Sequence, residues 1–104
     1  MADLKYSPDA LKDLDEIWEY ISQELCNPDA ADHTVSAILD RTESLKEFPL
    51  SGAPMDLISR IQSDYRFVKA NNFLAFYRYH DGTVYVDRVL YESRDCLRIL
   101  LREQ

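Results

Sequence analysis

Glycine is nearly absent from these 104 residues, with Gly52 and Gly82 the only two. Gly52 falls in a stretch that reads as a loop and Gly82 in the Asp-Gly signal of a tight turn. Cysteine is equally scarce: Cys26 and Cys96 lie far apart with no CxxC spacing and no histidine pair nearby, so no metal site or disulfide framework is expected and both thiols are read as free. No stretch approaches the roughly 18 apolar residues of a membrane span, and the opening residues lack the basic and apolar regions of a secretion signal. The expected location is the cytoplasm.

Positive charge is missing from the first part of the chain. Residues 1–40 hold ten carboxylates against Lys5 and Lys12, whereas the other 64 residues hold ten basic and nine acidic side chains, for a net charge of −7. Affinity for phosphate backbones comes largely from Lys and Arg releasing counterions, so a chain this acidic is not expected to bind DNA by itself. A composition of 46% apolar and 30% charged residues predicts one ordinary globular domain over residues 1–104.

The alternation of Leu4 and Tyr6 around Lys5 predicts a short strand. Ser7-Pro8-Asp9 then supplies a capping hydroxyl, a proline at the first helical position and a carboxylate that suits the helix dipole. The spacing of Leu11, Leu14, Ile17, Trp18, Ile21 and Leu25 predicts one apolar helical stripe, with Asp13, Asp15, Glu16 and Glu19 read as its solvated side. Asn27-Pro28-Asp29 repeats the cap and predicts a second, antiparallel helix carrying Val35, Ile38, Thr42, Leu45 and Phe48 as far as Pro49. "PLSGAP" at 49–54 reads as a loop, and residues 55–64 as loop or one short turn.

From Tyr65 the pattern becomes that of strands. "YRFVK", "FLAFYRY" and "VYVDRVLY" predict a three-strand meander, with the Asp81-Gly82 turn between the last two. The helical hairpin is expected to cover one face of this sheet and to leave the other for function. By strand parity Arg78 joins Leu74 and Phe76, while Arg88 joins Val84, Val86 and Leu90. An arginine among such neighbours snorkels to the rim or is paired, most simply with Asp87, Asp95 or a carboxylate of a partner protein.

No constellation of nucleophile, acid and base emerges. His33 and His80 read as surface histidines, Ser51 as loop chemistry, and Tyr65, Tyr77, Tyr79, Tyr85 and Tyr91 as core or rim of the sheet. For Arg94-Asp95 two readings stand: Asp95 caps the following "CLRILL" beside a solvated Arg94, or the pair takes part in binding. In that segment Leu97, Leu100 and Leu101 recur at helical spacing.

In order and spacing, "YSPDALKDLDEIWEYI", "EFPLSGAP", "YRFVKANNFLAFYRY" and "VYVDRVLYESRD" resemble the RelE/ParE toxins of type II toxin-antitoxin systems, over nearly the whole chain. The resemblance implies an α+β fold of order β-α-α-β-β-β, a helical hairpin packed on one face of an antiparallel sheet. It also implies a cognate antitoxin as partner and no cofactor. RelE-like members cut mRNA on the ribosome with basic strand residues and a C-terminal tyrosine, whereas ParE-like members inhibit DNA gyrase. Here Arg66 takes the place of one strand lysine, but Val68 stands where the second would be. Leu74 and Glu92 fall at or near two phosphate-stabilising arginines, and Arg98 falls near the terminal tyrosine. Cations that stabilise a dianionic transition state are not replaced by Val, Leu and Glu, so the likeness is closer to ParE.

The resemblance therefore implies a growth-inhibiting toxin that binds gyrase, with Arg66, Arg78, Arg88, Arg94, Asp95 and Arg98 as candidate contacts to target or antitoxin. One alternative is a ribosome-dependent endoribonuclease with a divergent site on Arg66, Arg78 and Arg88. Another is a degenerate family member that only binds.

Overall fold

A computed structural model describes residues 1–55, 64–93 and 99. The chain runs β1 (Asp3–Tyr6), α1 (Pro8–Glu19), a π-helical turn (Tyr20–Glu24), α2 (Pro28–Glu43), a 3-10 turn (Ser44–Lys46), β2 (Ala53–Pro54), β3 (Arg66–Ala70), β4 (Phe73–His80) and β5 (Thr83–Tyr91). Among these residues the strands form one sheet of order β1-β5-β4-β3-β2. The α+β fold and the meander β3-β4-β5 are as the sequence predicts. The sheet is mixed, however, because β1 runs parallel to β5, and the "PLSGAP" segment read as loop contributes the two residues of β2. Residues 56–63, most of the segment read as loop or short turn, lie outside the described residues.

Both predicted caps form. Ser7 Oγ accepts from Ala10 N at 2.9 Å and donates to the Asp87 carbonyl at 2.7 Å, so the residue that starts α1 also pins it to β5. Asn27 Oδ1 accepts from Ala30 N at 3.1 Å, after Cys26 has turned the chain through a positive φ of 52°. The apolar stripes are narrower than the sequence suggests. Ala10, Asp13, Leu14, Ile17 and Ile21 are buried in the α1 region, whereas Leu11, Trp18 and Leu25 remain 40–56% exposed. The wide π turn, closed by Leu25 N on the Tyr20 carbonyl, rotates Leu25 out of phase with the stripe. Leu11 and Trp18 sit on the flank, where Trp18 Nε1 donates to Asp32 at 2.9 Å. On α2 the stripe ends at Leu45, and Phe48 projects into solvent.

At Asp81-Gly82 both residues have positive φ, 48° and 76°, the backbone a two-residue hairpin needs to match strand twist. Between β4 and β5 the register shifts: Phe76 pairs with Arg88 but Tyr77 with Val86, leaving Asp87 as an extra residue. This bulge overturns the parity expected for Arg88. Val84, Val86 and Val89 face the helices together, while Leu90 faces the other way.

The second sheet face is not left open for function either. Met55, Tyr65, Leu74, Phe76 and Leu90 form a cluster there, with Met55 and Phe76 fully buried. Met55 N bonds to the Tyr65 carbonyl at 2.9 Å, continuing the pairing of β2 with β3.

On the helix side, fully buried Tyr77 reaches the loop before β2. Its hydroxyl donates to the Pro49 carbonyl at 2.8 Å and accepts from Gly52 N at 3.0 Å. Burial raises its pKa above the usual tyrosine value, more than the Gly52 N–H and the Arg66 charge lower it, so the phenol stays neutral and keeps both bonds. A Cβ on Gly52 would lie 2.5 Å from the Tyr77 hydroxyl oxygen, 2.6 Å from its Cε1 and 2.9 Å from the Phe67 carbonyl. Gly52→Ala is therefore expected to destabilise the chain by about 2 kcal/mol through overpacking, read from the midpoint of urea unfolding.

Candidate functional site

The bulge in β5 places Arg88 beside α1. Its guanidinium donates from Nε to Asp13 Oδ2 at 2.8 Å and from Nη2 to Oδ1 at 3.0 Å, and the same Oδ2 accepts the Val89 backbone N–H at 2.9 Å. One carboxylate thus takes three charge-assisted or backbone donors at a nearly dry position, the arginine side chain being 14% and the aspartate side chain 9% exposed. Asp13 was expected on the solvated side of its helix. Its spacing from Ala10, Leu14 and Ile17 puts it on the buried arc, and that is the signal by which the sequence could have revealed it.

The other predicted arginines are held elsewhere. Arg78 points to the opposite sheet face, bonds Asp87 at 2.8 Å and lies 5.5 Å from the centre of the Tyr65 ring. Arg66, on the helix side, donates to the Gly52 carbonyl at 2.8 Å and to that of Leu50 at 3.4 Å. Arg66, Arg78 and Arg88 are therefore directed to three places and do not converge on one phosphate-sized site. Arg94, Asp95 and Arg98, with Cys96 and the leucines of the last segment, lie outside the described residues apart from Ile99. Cys26 is a free, exposed thiol. His80 lies 3.2 Å from exposed Asp81, and His33 is on the surface.

Next to the Asp13–Arg88 pair opens a groove of about 1190 Å³, with Ile17 and Ile21 on one wall, Phe73 and Tyr91 on the other and Ile99 at its margin. Phe73 and Tyr91 meet edge-on, with ring centres 5.6 Å apart. β1 pairs only with Thr83–Val86, so among the described residues the Arg88–Tyr91 part of β5 has no strand neighbour on that side. An apolar trough with one anchored guanidinium at its end is suited to binding a polypeptide. The groove was not legible as such, because its residues come from α1, the π turn, α2, the β3-β4 turn, the start of β4, the end of β5 and Ile99.

Over residues 4–96 the sequence matches the family described as ParE toxin of type II toxin-antitoxin system, parDE. The chain belongs to the ParE toxin family. A solved structure described as the chromosomal ParDE TA system from P. aeruginosa shares its fold at TM-score 0.75 and 23% identity, covering 89% of this chain and 98% of that one. A crystal structure of YafQ from E.coli strain BL21(DE3) matches at TM-score 0.47 and 17% identity, over 88% of this chain and 94% of that one. No curated protein matches. Membership of the ParE family implies an antitoxin partner, and among the described residues no helix is long and apolar enough to cross a membrane.

In this ParE toxin the Asp13–Arg88 pair locks α1 to the sheet. Asp13→Ala would remove the carboxylate that a buried guanidinium and a strand N–H share, and is expected to cost about 3 kcal/mol in a chemical denaturation series.

Proposed function

We propose that this ParE-family chain is a cytoplasmic toxin that arrests growth by binding DNA gyrase, and that a cognate antitoxin neutralises it by laying a tail in the groove beside Arg88. The observation that carries the choice of binding over cleavage is the dispersal of the arginines. A phosphoryl-transfer site needs cations aimed at one developing charge, whereas Arg66, Arg78 and Arg88 are each committed to a separate acceptor. The gyrase target rests on the resemblance to ParE-like members. The antitoxin site rests on the aromatic and aliphatic side chains that line the groove and on the part of β5 that has no strand neighbour among the described residues.

Induction without antitoxin is expected to halt growth and to relax plasmid DNA, with the 5′ ends of cellular mRNA unchanged. Codon-positioned mRNA cuts that vanish in Arg66→Ala would instead make the chain a ribonuclease, and harmless induction with retained antitoxin binding would make it a degenerate binding module. Tyr91, 58% exposed on the groove wall, supplies a separate check. Tyr91→Ala should weaken antitoxin binding about tenfold by titration calorimetry, as loss of an interface aromatic does, with little change in thermal stability.

A further inference from the structure

The loop between the 3-10 turn and β2 combines two properties that seldom go together. Its backbone is heavily restrained. Ser51 N bonds the Phe48 carbonyl at 3.0 Å to form a tight turn with Pro49 at its second position, and Phe48 N bonds the Ser44 carbonyl at 3.2 Å. Tyr77, from the buried side of the sheet, holds the Pro49 carbonyl and Gly52 N, while Arg66 holds the carbonyls of Leu50 and Gly52. The two largest side chains so presented are nevertheless in water: Phe48 is 63% exposed and Leu50 59%. A turn whose only task was to lead the chain into β2 would need no such pair at its tip.

We infer that the Phe48–Ser51 turn is a preorganised apolar knob that enters a preformed apolar pocket on a folded protein, the one whose inhibition makes the chain toxic; this rests on the toxin reading above. Rigidity of this kind removes the ordering cost that a mobile loop would bear on binding, and a buried aromatic with an aliphatic neighbour is a common anchor of protein interfaces. The partner's class follows from shape. The knob is convex, so its complement is concave, and a folded surface offers a pocket where an extended or helical tail offers none. The tail-sized trough lies across the sheet, along β5, whereas the knob is tied to β3 and β2 at the other edge and shares no residue with that trough. A second copy of the chain is disfavoured as occupant by the net charge of −7 that each copy carries.

The test is the double variant Phe48→Ser/Leu50→Ser, compared with the conservative Phe48→Tyr/Leu50→Met. Both pairs leave Pro49, Gly52, Tyr77 and Arg66 in place. The Ser variant is expected to melt within about 2 °C of the parent, as exposed substitutions do, and to bind antitoxin unchanged, yet to need at least roughly tenfold more expressed protein to arrest growth, a loss on the scale of an interface anchor. The conservative pair should restore arrest. Undiminished toxicity of the Ser variant would overturn the inference while leaving the toxin reading intact. So would lost antitoxin binding with arrest retained, or a parent dimer that the Ser variant abolishes in sedimentation. An unmodified chain that leaves growth untouched would remove the toxin reading itself and the inference with it.

Discussion

The carboxylate of Asp13 is the contact on which the arrangement of the two layers depends. It sits on the buried arc of α1 and answers both a guanidinium and a strand N–H at the place where β5 gains its extra residue. Without an acceptor there, the bulge would leave the Val89 N–H unsatisfied past the end of β1. With it, Val86 and Val89 can both face the helices, and Asp87 is released to the opposite side, where it meets Arg78. The net gain from such a buried pair over an apolar substitute is small, because desolvation offsets most of the attraction. What it secures is register: the strand is held in the one alignment that satisfies both donors.

How much of this could be read from the chain depends on whether the determinant is local. The caps at Ser7 and Asn27, the Asp81-Gly82 turn and the strand order of the meander were legible, since each is fixed by a few adjacent residues. The bulge was not, because nothing in "VYVDRVLY" marks Asp87 as the unpaired residue; the shift is decided by Asp13, more than seventy positions away. Strict alternation therefore assigned Arg88 to the wrong neighbours. The outer residues of the helical stripes failed for a related reason. Helical spacing gives direction, but the depth to which Leu11 or Trp18 is covered depends on where α2 crosses. The π turn then altered the phase for Leu25 in a way that no periodicity scale anticipates.

The uneven charge of the chain now has a structural account. Among the described residues, the strand arginines Arg88, Arg78 and Arg66 close three separate junctions, one to α1, one across the second sheet face and one to the loop before β2. The acidic residues of the helices, apart from Asp13 and the Asp32 that meets Trp18, are left mostly to solvent. The surface is thus more acidic than the sequence of the second half suggests, and its apolar features are the trough along β5 and the exposed turn at the opposite edge.

The strand edges also govern how the chain behaves when no partner is bound. β2 is two residues long and ends in Pro54, which has no N–H to offer an incoming strand, and β1 spans only four residues. On the half of β5 that has no strand neighbour among the described residues, the Val89 N–H is occupied by a side-chain carboxylate. Among the described residues no long, free ladder of donors and acceptors remains for another copy to extend. A strand adding beside Val89 would have to displace Asp13 from that N–H, so pairing there is opposed by the same contact that fixes the register of β5.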